Sequence, residues 1–292
     1  MNSTGTASQT SLISKNPLNG MTGNDNSYYP AISSDGRYIT FASQASNLTP
    51  GDTNNAVDVF VYDKQTNIMQ NITSGGNAPS YDSAISSDGR YITFYSEASN
   101  LTPNDTNGKR DIFVYDKQTD TMQNITSIGN NHSESPAISS DGRYITFASQ
   151  ASNLTPGDTN NAVDVFVYDK QTDTMENITS IGNNTSYYPA ISSDGRYITF
   201  HSDASNLTPG DTNGVIDIFL YDKQTDTTTN ITISGNDYSY NPAISSDGRY
   251  ITFTSQASNL TPGDTNNMTD VFVYDKQTDT MQNITSIGND NS

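Results

Sequence analysis

The chain has 292 residues, a net charge of −19 and only 13 Lys and Arg, which excludes phosphate backbones and anionic membrane faces as partners, since both need basic patches. It has no Cys, so it holds neither a disulfide framework nor a thiolate metal site. Tyr (18 copies) and Phe (10 copies) stand out among Asn, Ser, Thr and Asp, and the hydrophobic share is 32%, a loop-rich β composition rather than a helical one.

Residues 1–10 are polar and expected to be disordered, and Met1-Asn2-Ser3-Thr4-Gly5 does not read as a signal peptide. No apolar run approaches the ~20 residues of a membrane helix, so no membrane insertion is expected. Ser11-Leu12-Ile13-Ser14 resembles the last strand of a unit that would precede the first one. Tyr29-Pro30-Ala31-Ile32-Ser33 reads as a short strand with Pro at its start, where a strand tolerates it. Ser34-Asp35-Gly36-Arg37 is a hairpin turn, because Asp-Gly supplies the positive φ values that such turns need. Tyr38-Ile39-Thr40-Phe41 is a second strand, Ser46 to Asn55 a long loop, and Asp58-Val59-Phe60-Val61-Tyr62 a third strand. Asp63-Lys64-Gln65-Thr66 is a turn, and Met69-Gln70-Asn71-Ile72-Thr73 is a fourth, more polar strand. Ser74 to Ser80 leads onward.

This unit comes round five times. The Asp-Gly pairs begin at Asp35, Asp88, Asp141, Asp194 and Asp247, each 53 residues after the last, and Ala31 to Thr66 recurs residue for residue as Ala137 to Thr172. A period near 50 marks units that bury their faces against one another. The middle strands are apolar on both faces, which a propeller blade needs because each face packs on a neighbouring blade. The expected fold is therefore all-β: a five-bladed β-propeller of four-stranded antiparallel blades, with a six-bladed ring or an open fragment of a longer array as the alternatives. A closed ring is expected, since an open one leaves an exposed edge. The N-terminal strand and the last unit's own Met281-Gln282-Asn283-Ile284-Thr285 then compete for one place.

Ser-Ser-Asp-Gly-Arg-Tyr-Ile-Thr-Phe followed by Asp-Val-Phe-Val-Tyr-Asp resembles the TolB-like, or PD40, repeat of the WD40-like β-propellers, from about Leu12 to Ile287. The resemblance implies a protein-binding platform or a domain appended to enzymes, usually of six blades. The chain departs from it in having five units and a longer loop, Ala-Ser-Asn-Leu-Thr-Pro-Gly-Asp-Thr-Asn.

In a four-stranded meander the loops alternate sides. The Asp-Gly and Asp-Lys-Gln-Thr turns share one face, nearly identical in every unit. The long loops and the blade-to-blade loops share the other, where most differences fall. Lys109-Arg110 replaces Ala56-Val57, and the loop pairs read Tyr28-Tyr29, Tyr81-Asp82, Glu134-Ser135, Tyr187-Tyr188 and Tyr240-Asn241. These pairs lead into the innermost strands, so they are expected to ring the channel mouth. Tyr rings with carboxylates and amides between them suit a glycan or a protein side chain. On the second strand, His201 and Tyr95 replace Ala42-type residues.

A second pattern is Asp52/Asn54/Asp58, repeated as Asp105/Asn107/Asp111, Asp158/Asn160/Asp164, Asp211/Asn213/Asp217 and Asp264/Asn266/Asp270. Oxygen ligands at alternate loop positions are a way to hold Ca²⁺, although the EF-hand spacing is absent. Asx-turns that pin the loop explain the same residues. Repeated Asn-Ile-Thr at Asn71, Asn124, Asn177, Asn230 and Asn283 matches a glycosylation acceptor and suggests an extracellular or cell-surface setting. The expected function is non-catalytic binding of glycan or protein by a monomer, with Ca²⁺ as cofactor. A structural cell-envelope module without a discrete ligand is one alternative. A glycosidase-like enzyme using Asp82 and Glu134 is the other, on fold analogy alone.

Overall fold

A computed structural model of the chain describes residues 10–262, 264 and 268–285. Most of the stretch expected to be disordered, Asn266 of the last loop, and Ile287 lie outside the described residues. The first unit folds as β1 (Ser27–Ile32), β2 (Tyr38–Ser43), β3 (Asp58–Asp63) and β4 (Ile68–Asn71), paired antiparallel in that order. The pattern repeats through β5 (Ser80–Ile85), β9 (Ser133–Ile138), β13 (Ser186–Ile191) and β17 (Ser239–Ile244) as the innermost strands, ending at β20 (Thr280–Asn283). The result is five four-stranded antiparallel sheets with no helix among the described residues, a five-bladed all-β propeller.

The period-2 geometry of a strand explains why both faces are apolar. From the third strand, Val59 and Val61 point toward the second blade and join Tyr38, Ile92, Phe94, Phe113 and Tyr115. Phe60 points the other way, into a cluster with Ile39 and Phe41. The same division recurs between blades two and three, three and four, and four and five. Inside each blade two Phe rings stack at 5.6 Å, as in Phe147 and Phe166.

The constant face is bound by a belt of turns. The Ser34 amide donates to the Ser87 carbonyl, Ser87 to Ser140, Ser140 to Ser193, and Ser193 to Ser246, at 3.0–3.1 Å. Each Arg beside an Asp-Gly turn grips the Asp that ends the third strand in bidentate fashion, as Arg143 does Asp169 at 2.9 and 2.7 Å. Those charge-assisted bonds hold the Asp169 carboxyl down at about 2. Lys117 of the second blade lies 4.0 Å from the ring of Tyr38 in the first, and Lys170, Lys223 and Lys276 repeat the contact onward. At Gly89 a Cβ would come within 2.1 Å of the Tyr38 ring, so the backbone must stay bare there.

The competition expected between the two terminal strands for one place does not arise. β20 keeps the outer place of the last blade, and Ile13 packs instead on the first blade's outward cluster. There it stands where Ile72 stands on the second blade. Inner strands pack in succession from β1 to β17, and no comparable packing joins β17 to β1 among the described residues. Tyr250 is accordingly 39% exposed where Tyr38 is 9% exposed.

Candidate ligand site in the central cavity

The innermost strands share an irregularity that the sequence conceals. Each first-to-second strand ladder shifts register around the loop pair and the residue after it, for example between Tyr187 and Ala190. The bulge sets Tyr29, Asp82, Ser135, Tyr188 and Asn241 in the left-handed region, at φ of 51°, 55°, 55°, 50° and 54°. That conformation costs an L residue about 1–2 kcal/mol, and strain of this kind gathers at functional sites. Four of these residues, Asp82, Ser135, Tyr188 and Asn241, line a central cavity of about 250 Å³ with Pro136, Pro189 and Pro242. Tyr29 of the first blade is not among its lining residues. Ser135, expected at the channel mouth with Glu134, takes the place that Asp82 holds one period earlier.

The other member of each pair lies outside this cavity's lining and makes contacts that differ from blade to blade. Tyr81 leans on Tyr95, ring centroids 5.7 Å apart, and burial pushes the Tyr95 hydroxyl up to about 12. Glu134 accepts a hydrogen bond from Arg110 Nη1, while Arg110 Nη2 donates to Glu97 at 3.1 Å. The Arg110 guanidinium lies 5.0 Å from the Tyr95 ring, and its backbone amide donates to His132 Nδ1 at 3.0 Å. Tyr187 and Tyr188 flank His201, at 6.2 and 5.4 Å between centroids. Burial pulls His201 down to about 4 and leaves its Nδ1 without a partner. Tyr240 reaches Thr269 at 3.5 Å. Tyr28 faces a groove on the first blade with Leu12, Ile13 and Phe41, away from the cavity. Neither Arg110 nor Glu97 was a predicted site residue. Their signal was present in the sequence as departures from the repeat.

The Asp-Thr-Asn loops form a buried latch. Asp111, fully buried, accepts from Thr126 Oγ1 at 2.7 Å, from Asn124 Nδ2 at 3.0 Å and from Asn107 Nδ2 at 3.0 Å. The first, third and fourth blades repeat this around Asp58, Asp164 and Asp217. In the fifth, Asn283 donates to both Asp264 and Asp270. The repeated Asn-Ile-Thr is therefore the latch's far side: Asn71 and Thr73 both bind Asp58.

The loop asparagines enter the latch through their side-chain nitrogens. Asn160 Nδ2 donates to Asp164 at 3.4 Å and to the Gly182 carbonyl at 2.8 Å. Asn213 Nδ2 donates to Asp217 at 3.0 Å and to the Gly235 carbonyl at 3.2 Å. The side-chain oxygens of Asn54, Asn107, Asn160 and Asn213 accept instead from the backbone amides of Ala56, Lys109, Ala162 and Val215. These are Asx-turns, and they leave a nitrogen rather than an oxygen facing each carboxylate. Asn54, Asn107, Asn160 and Asn213 thus act here as turn and latch residues.

Burial, then the neighbouring Asp charge, raises Asp52, Asp105, Asp158 and Asp211. Asp105 Oδ1 and Asp158 Oδ1 are buried without a partner. No group of three or more His, Asp or Glu among the described residues is arranged to hold a metal ion.

Neither a protein-family model nor a curated protein sequence matches the chain. Solved structures do match its fold. TolB from Acinetobacter baumannii aligns with a TM-score of 0.55 at 17% identity, over 91% of this chain and 61% of its own. TolB from Agrobacterium tumefaciens aligns at 0.58 and 18%, over 89% and 80%. An oligogalacturonate lyase from Vibrio parahaemolyticus aligns at 0.55 and 14%, over 91% and 67%. The chain thus spans about three fifths of the Acinetobacter protein. Identities this low speak for architecture alone. By repeat, blade and topology, the chain has the TolB-like β-propeller fold.

Proposed function

We propose that the chain is a non-catalytic binding module that takes a glycan or a protein segment at the central cavity. One observation carries this reading. Asp82, Ser135, Tyr188 and Asn241 turn from four blades into one cavity, and none of their side chains hydrogen-bonds within the described protein. Polar side chains elsewhere in the repeat are mostly tied into the scaffold, so free ones gathered at a strained bulge are available to a ligand. Catalysis by paired carboxylates is disfavoured, because Glu134 is committed to Arg110 and leaves Asp82 alone. An extracellular or cell-surface setting suits a strongly acidic chain rich in Asn, Ser and Thr.

The test is a thermal-shift screen of oligosaccharides and short peptides against wild type, Tyr188→Ala and Asn241→Ala. The expected result is a ligand that raises the wild-type melting temperature and loses most of that effect in both variants. Ligand shifts of equal size in all three proteins would move the site elsewhere and favour a structural module.

A second reading, Ca²⁺ in the blade loops, is favoured by the unpartnered oxygens of Asp105 and Asp158. The carboxylate pair of each loop and the loop carbonyls would be the ligands, without the asparagine side chains, whose nitrogens face the carboxylates. One site filled at ~100 times its dissociation constant adds roughly 2.7 kcal/mol, so several would give a large rise in melting temperature over an EDTA control. An unchanged melt would leave the latch as purely hydrogen-bonded.

A further inference from the structure

We propose that the central cavity takes an organic cation, an alkylammonium or guanidinium head group, with Asp82 as its counter-charge. The proposal rests on the cavity being the binding site and names the chemistry that it selects. The Asp82 carboxylate is half-buried in the cavity wall and receives no hydrogen bond or ion pair from any described residue. A carboxylate in that position is destabilised unless a positive charge reaches it. Burial, and then the charge of Glu134, duly raise its pKa.

Most of the protein's own cations are engaged elsewhere. The five turn arginines are locked on Asp63, Asp116, Asp169, Asp222 and Asp275. Four lysines lie over Tyr rings of the neighbouring blade. Arg110, over the Tyr95 ring, is held between Glu97 and Glu134. His201, beside Tyr188, is neutral at pH 7 because burial lowers it.

The rest of the wall suits the same guest. Ser135, Tyr188 and Asn241 each offer an acceptor, and the Tyr188 ring offers a face to a cation. The net charge of −19 draws cations toward the molecule and repels anions. A neutral sugar would leave Asp82 uncompensated. A bare divalent ion needs ~6–8 oxygens, and the wall offers one carboxylate.

Isothermal titration of the intact chain tests this. The probes are n-butylammonium and n-butylguanidinium, their neutral counterpart n-butanol, and short acetylated, amidated peptides carrying one Lys, one Arg or norleucine. Cationic probes should bind at least tenfold more tightly than the neutral ones, and the advantage should shrink at high salt. Asp82→Asn should erase it, and Asn is well suited to the left-handed backbone there. Free amines and peptides binding alike would support a small amine as the source. Peptides alone binding would support a polypeptide side chain. An Asp82→Asn protein that keeps the preference overturns the proposal, as does displacement of the probe by Ca²⁺ at matched ionic strength. If an oligosaccharide binds in a Tyr188-dependent way and cations do not, this proposal falls while the cavity remains the site. If nothing binds there, both fall.

Discussion

Asp111→Ala should remove about 3–5 kcal/mol of stability, reckoned at roughly 1–2 kcal/mol for each donor stranded. The substitution leaves Thr126 Oγ1, Asn124 Nδ2 and Asn107 Nδ2 without their shared acceptor at a site closed to water. These three residues come from the fourth strand, the segment after it and the long loop, so the loss detaches all of them from the third strand. Relief of repulsion on Asp105 offsets a part, because Asp111 helps to raise that residue, after burial. Thr126→Val should cost about 2–3 kcal/mol, since it removes one donor to Asp111 and strands the buried Ile112 amide that the hydroxyl accepts. Urea denaturation of both variants measures the difference. A loss below about 1 kcal/mol in Asp111→Ala would show that solvent replaces the latch with little penalty, contrary to its burial.

Phe166→Ala should cost about 3–5 kcal/mol, the range for emptying a packed aromatic site. Phe166 is fully buried, stacks on Phe147 and joins the cluster that unites the second and third blades. Phe60 has the same neighbours within its own blade but lies under the N-terminal segment, with Ile13 as cover and an open groove beside Phe41. A site with one loose wall collapses more easily, so Phe60→Ala should cost less, about 2–3 kcal/mol. Equal losses would show that the N-terminal segment seals the first blade as firmly as a neighbouring blade would.

Much of this architecture could be read in the residues. The 53-residue spacing of the Asp-Gly pairs set the number of blades, and the apolar-both-faces pattern of Val59-Phe60-Val61-Tyr62 announced blade-on-blade packing, as found. The side of each loop followed from the meander: Lys64 donates to Arg37 on one face, and Asn54 to Gly76 on the other. What the sequence concealed depends on contacts between distant positions. Thr73 was expected to end a strand. Its hydroxyl instead takes the Val59 amide and gives its proton to Asp58, so the ladder stops at Asn71. An Asn-x-Thr triplet looks the same whether it faces a glycan-adding enzyme or a buried Asp. The latch contacts of Asn160 and Asn213 were concealed for a related reason: an amide carries both an oxygen and a nitrogen, and only the fold shows which end meets the carboxylate. The bulge was hidden too, since Tyr-Pro reads equally well as a strand start and as a strand broken by a left-handed residue. So was the lack of comparable packing between the first and last inner strands among the described residues, because the first and last units carry the same apolar pattern as the others.

Among the described residues, four chemically equivalent interfaces join five nearly interchangeable blades, and such interfaces carry no address. A blade emerging from the unfolded chain meets several partners that fit it about equally well, including those on another molecule. Order must come from chain connectivity, through the short link that makes the adjacent blade the first one met. Refolding at high concentration therefore invites blades exchanged between chains, the characteristic error of repeat proteins. The N-terminal segment is the exception. By seating Ile13 on the first blade alone, it marks one end of an otherwise anonymous series.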